Sequence, residues 1–167
     1  MGLKQRFEDK NALVDALLTQ RVVLGDRALA EDLAANGVLE EFAAGQYVIR
    51  QGGPERDVYF ILAGKAQVVV HGVRLYPREA GNTVGEMSAL NPAVGRAATI
   101  EASEETVAWR VDHARLAGVA DKHPMLWKRL AIELAGRLEQ RNKFINRMND
   151  IPRVFAICSA EALDIAK

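Results

Sequence analysis

Apolar residues recur at three- and four-residue steps near the start of the chain: Leu13, Leu17, Leu18 and Val22, then Leu29, Leu33 and Ala34, with Gly25 and Gly37 breaking the rhythm. That spacing predicts two short helices. From Phe42 the texture changes to short runs of β-prone residues: 47–49, 58–62, 66–70, 73–76, 98–100 and 106–111. Turn residues separate them at Gly45, Gly52-Gly53-Pro54, Gly64, Gly72, Gly81 and Gly85. Strands this short, with turns this frequent, predict a β-sandwich or barrel, an architecture that many proteins use without any ligand pocket. After Val111 the helical period returns, with Leu126, Leu130, Leu134 and Leu138 at four-residue steps beside Trp127, Ala131 and Ile145. Pro124 stands where a helix can start, and a helix of about 125–149 is long enough to leave the body of the domain. The last segment reads as a buried strand at 153–157, a turn with a capping serine at Cys158-Ser159, and the start of a helix at 160–167. It looks like the opening β-loop-α step of an α/β domain that stops short; a small strand joining the main sheet is the alternative.

Composition narrows the function classes. The 167 residues carry 22 Lys+Arg against 22 Asp+Glu, so there is no overall field to draw in a nucleic-acid backbone or an anionic membrane. The neutrality is uneven: residues 1–45 hold five basic and eight acidic side chains, and 121–150 hold seven basic and four acidic. No run approaches the roughly 18 apolar residues of a membrane span, and Met1–Lys10 is polar, so a soluble, cytoplasmic protein is expected. Cys158 is the one cysteine, and His71, His113 and His123 are scattered. No disulfide framework, metal site or bound cofactor is expected.

One stretch carries chemistry: Gly81-Asn82-Thr83-Val84-Gly85-Glu86-Met87-Ser88-Ala89-Leu90, then, after Asn91–Gly95, Arg96-Ala97-Ala98-Thr99-Ile100. A glycine turn feeding a short helix from about Glu86 offers backbone N–H groups to an anion, and Arg96 can clamp the same anion with charge-assisted hydrogen bonds. Glu86 beside an anion is unfavourable unless its carboxylate has donors of its own, such as a sugar hydroxyl and an arginine. The pair suits a ligand with a phosphate and a ribose hydroxyl side by side.

Together with Val58–Ala66, the Gly85-Glu86 and Arg96-Ala97-Ala98-Thr99 motifs resemble the phosphate-binding cassette of the cyclic-nucleotide-binding domains, the family of the protein kinase A regulatory subunits and the bacterial catabolite activator protein. The resemblance spans about 38–145. It implies an α+β fold: a β-barrel or jelly-roll of 38–120 behind an N-terminal helical segment of 1–37, with a dimer or lid helix of 121–150. It also implies a binding site of Gly85, Glu86, Met87, Ser88, Arg96 and Ala97, in which Glu86 takes the ribose 2′-hydroxyl, Arg96 the cyclic phosphate, and backbone amides near Ser88 and Ala97 close the cradle. Ala97, where members favouring cyclic GMP often carry Thr or Ser, disfavours cyclic GMP.

The late helix is similar to the activator protein's dimer helix, with Arg129-Leu130 and Arg137-Leu138 in step. On that register Arg137 lies near Glu86, and Arg141 and Asn142 occupy the positions that address the base. Arginine has donors and no acceptor, which suits the carbonyl oxygens of uracil or cytosine better than the exocyclic amine of adenine. Arg153–Glu161 resembles the opening of a TIR-like domain, so 151–167 is expected to be a linker and the first β-α of a truncated one. A sensor joined to a TIR domain is the layout of effectors in pyrimidine-cyclase antiphage defence (Pycsar), in which cyclic UMP or cyclic CMP triggers TIR assembly and NAD destruction. The expectation is a homodimeric sensor that is not itself an enzyme, with higher assembly through the TIR domain, and with neither nucleic acid nor membrane as partner. The alternative is a cyclic-AMP-responsive module of a transcription factor. A third reading, an enzyme with Cys158 or Ser88 as nucleophile, lacks a supporting histidine or acid pattern.

Overall fold

Aspartates start three of the helices. Asp9 accepts from the amides of Asn11 and Ala12, Asp26 from Leu29 and Asp112 from Arg115, which satisfies donors that the first helical turn leaves open. The helices they cap are α1 (Lys10–Leu18), α2 (Arg27–Ala35) and α4 (His113–Lys122); α3 (Glu86–Leu90) is a single short turn and α5 (Met125–Asn149) is long. A 3-10 turn, Lys4–Phe7, precedes α1. The coordinates are a computed structural model that describes residues 2–91 and 93–149. They divide into two units, Met1–Gly136 and the part of the chain from Arg137, described as far as Asn149.

Among the described residues nine strands form two antiparallel sheets. In one, β1 (Val38–Phe42), β9 (Thr106–Val111), β3 (Val58–Ala63) and β7 (Thr83–Val84) are neighbours in that order. In the other, β2 (Tyr47–Ile49), β8 (Thr99–Ala102), β4 (Lys65–Val70) and β5 (Val73–Arg74) follow one another, and β6 (Arg78–Glu79) also pairs with β4. The β3–β9 register sets Tyr59 opposite Arg110 and Phe60 opposite Trp109.

Alternation along β3 divides the core in two. Tyr59 and Ile61 pack with Ile49, Ala66, Val68, Val84, Ile100 and Ala108 between the sheets. Val58, Phe60 and Leu62 face the opposite way, joining Val107, Trp109 and Val111 and the helical residues Leu17, Leu29, Leu33, Leu116, Leu126 and Leu130. With both faces covered, β3 reads as an unbroken apolar run. The Trp109 indole N–H donates to Leu33 O (2.9 Å) and so ties β9 to α2.

The fold is the α+β jelly-roll expected, with both early helices, the short turn at Glu86 and the helix over 125–149 in place. Four elements go beyond the sequence reading. In β1, Val38-Leu39-Glu40-Glu41-Phe42 shows no clean alternation; β6 and β7 are two residues each, too short for any period. The mixed α4 precedes the leucine series of α5 as a separate helix. The strand expected over 73–76 is the two-residue β5. The strand–turn–helix reading of 153–167 lies outside the described residues.

Candidate functional site

β7 and α3 meet at Gly85, whose φ of +88° is open to glycine and costly for other residues. Space is equally restrictive, since a Cβ there would stand 2.5 Å from both Arg96 Nη1 and Asp57 O. Gly85 therefore lets the chain turn and lets a guanidinium lie against its backbone.

Arg96 fills that space. Its backbone is pinned by the loop between β2 and β3: Gly52 N–H donates to Arg96 O (2.8 Å) and Arg96 N–H to Gly53 O (3.3 Å). Its side chain is 4% exposed. Nη1 donates to Gly85 O and to Ser88 Oγ, both at 3.0 Å, and Nη2 donates to Asp57 O at 2.8 Å. Nε is buried with no acceptor among the described residues. No carboxylate there forms an ion pair with it either. The Asp57 carboxylate is taken by Arg110, which bridges it (2.9 Å) to Glu40 (2.5 Å). Burial lowers the pKa of Arg96, against the pull of more distant Tyr59, Asp57, Glu55 and Glu86. A buried cation held only by neutral oxygens, with Nε–H and one Nη2 hydrogen left over, is a site for an anion.

The site residues expected from sequence fall into three groups. Gly85, Ser88 and Arg96 are joined by hydrogen bonds; Ser88 is 2% exposed and also donates to Gly85 O at 3.1 Å. Glu86 is buried at the head of α3, Met87 beside it is exposed, and Ala97 follows Arg96 half-buried. Arg137, half-buried, and Arg141 and Asn142, both exposed, lie on the α5 stretch of the second unit. Sequence reasoning missed the acceptor role of Asp57. Its contribution to Arg96 is a main-chain carbonyl, which leaves no mark on residue type. Among the described residues no three His, Cys, Asp or Glu side chains gather as a metal site, and no helix is long and apolar enough to cross a membrane.

The model of the cyclic nucleotide-binding domain family matches residues 39–123. The chain belongs to that family. Among curated proteins it is 38% identical to the Pycsar effector protein BcPycTIR of Burkholderia cepacia, over 94% of this chain and 52% of that protein. It is 39% identical to PaPycTIR of Pseudomonas aeruginosa, over 99% and 54%. The chain thus spans about half the length of the curated relatives it matches. Among solved structures, the cAMP-bound PfPKA-R superposes with a TM-score of 0.69 at 16% identity, over 87% of this chain and 49% of that one. The c-di-GMP-responsive regulator CLP of Xanthomonas campestris gives 0.68 at 16%, over 75% and 65%. At such identity these two bear on the fold, which they share.

Proposed function

We propose that this chain is the sensor of a Pycsar-type effector: it binds cyclic UMP or cyclic CMP and thereby controls a TIR NAD hydrolase domain lying outside residues 1–167. The observation that carries the binding reading is Arg96, buried without an ion pair and with Nε lacking an acceptor among the described residues. A cyclic phosphodiester bears one negative charge and two exocyclic oxygens, which matches one guanidinium edge. The Pycsar relatives support the effector role. The pyrimidine preference rests on the donor chemistry of Arg141, as the family resemblance places it.

A homodimer in the cytoplasm is part of the same proposal. Leu138 and Ile145 of α5 are exposed and seven residues apart, the repeat of a helix-pairing seam. Ligand acts by favouring one arrangement of α5 over another, and differential affinity is all it contributes.

Titration calorimetry with cyclic UMP, cyclic CMP, cyclic AMP and cyclic GMP tests the proposal, with Arg96→Ala and Arg141→Ala beside the unaltered chain. One cyclic pyrimidine nucleotide is expected to bind tightest. Arg96→Ala should weaken binding by about 2–5 kcal/mol, the usual cost of removing one partner of a buried charge pair. Arg141→Ala should narrow the gap between pyrimidine and adenine ligands. Tightest binding of cyclic AMP, unaffected by Arg141→Ala, would instead support a cyclic-AMP-responsive module.

A further inference from the structure

We propose that Ser88 is a positioning residue that decides which edge of Arg96 meets the ligand phosphate. The inference rests on the cyclic-nucleotide reading of the site and adds a determinant of how the phosphate is held.

A guanidinium carries five N–H donors in one plane. Nη1 gives its two to Gly85 O and Ser88 Oγ, each at 3.0 Å, and Nη2 gives one to Asp57 O at 2.8 Å. What remains is Nε–H, buried and without an acceptor among the described residues, and the second hydrogen of Nη2; because Asp57 O, which Nη2 reaches, is not within reach of Nε, we infer that this hydrogen lies on the Nε edge. Those two run parallel, the arrangement that takes two phosphate oxygens at once.

Gly85 O and Asp57 O alone define a line about which the guanidinium can still tilt. Ser88 Oγ supplies the third point and so fixes the plane. The serine is itself held in place: it is 2% exposed, and its hydroxyl donates back to Gly85 O at 3.1 Å. Its proton is committed there, which leaves a lone pair for Nη1. This is a hydroxyl spent on orientation.

If Ser88 orients the guanidinium, its effect must run through Arg96. The full 167-residue chain is titrated with cyclic UMP, cyclic CMP and the Rp and Sp phosphorothioate analogues of whichever binds tighter. The proteins are the unaltered chain, Ser88→Ala, Ser88→Thr, Arg96→Lys and the double variant Ser88→Ala/Arg96→Lys, with thermal melts as a check on folding. A fixed edge distinguishes the two exocyclic oxygens, because sulfur accepts hydrogen bonds poorly. The unaltered chain is therefore expected to prefer one diastereomer. Ser88→Ala should bind the parent nucleotide about tenfold more weakly, the worth of one hydrogen bond to a charged group, and lose most of that preference. Ser88→Thr, which restores the hydroxyl, should recover the preference. In the Arg96→Lys background the serine change should cost less than about twofold, because an ammonium has no edge to orient.

An equal loss from Ser88→Ala in both backgrounds, or an unchanged diastereomer preference, would overturn the positioning role while leaving the cyclic-nucleotide reading intact. Absence of binding by the unaltered chain to either nucleotide would overturn both.

Discussion

Gly85 and Tyr59 show how single positions set the site's limits. Gly85→Ala places a methyl where φ is +88° and where Arg96 Nη1 and Asp57 O stand 2.5 Å away. The left-handed backbone alone costs about 1–2 kcal/mol, and the clash pushes Arg96 off its carbonyl. The expected result is a lower melting temperature together with loss of cyclic-nucleotide binding, read by calorimetry on the folded variant. Tyr59 lies between the sheets, and its hydroxyl pKa is pushed up to about 12 by burial, with Glu40 and Asp57 adding to the effect. Above the unfolded value of 10.0 the unfolded chain releases this proton while the folded chain keeps it, so stability present below pH 10 is lost as pH rises towards 12. Tyr59→Phe should therefore flatten the fall in stability between pH 10 and 12, measured as unfolding midpoint against pH relative to the unaltered chain.

At the scale of elements, helix caps and the cassette are separable. Asp9 serves two amides at the start of α1, far along the chain from Arg96. Asp9→Ala should lower stability by about 1 kcal/mol, seen as a shifted urea midpoint with unchanged slope, and leave nucleotide affinity as it was. Element length and composition explain what the sequence made legible. α1 and α2 announced themselves through the steps Leu13–Leu17 and Leu29–Leu33, because each buries one face. β3 was legible through β-branched and aromatic content despite lacking alternation. β7, two residues long, and β1, whose Glu40-Glu41 interrupts any pattern, gave no periodic signal. In the site, Gly85, Glu86, Ser88 and Arg96 could be named because their chemistry resides in side chains or in the lack of one. The acceptors that hold Arg96, Gly85 O and Asp57 O, belong to the main chain, and only the fold reveals which carbonyls converge. Arg110, which pairs with the Asp57 carboxylate (2.9 Å), was invisible for a related reason: it is brought there by the β3–β9 register.

For the whole molecule, the same register has a kinetic consequence. β3 is the wall shared by both apolar clusters, and its partner β9 lies across a long stretch of chain that contains β7, α3 and Arg96. Each cluster has parts that can pack locally, but neither is complete until that stretch is closed into a loop, so β3–β9 pairing is expected to be the costly step and the anion cradle a late arrival inside it. Interactions that appear after the barrier slow escape from the native state without hastening entry. In stopped-flow experiments a bound cyclic nucleotide should thus lower the unfolding rate in proportion to its occupancy and leave the refolding rate unchanged, so that a sensor holding its ligand also persists longer.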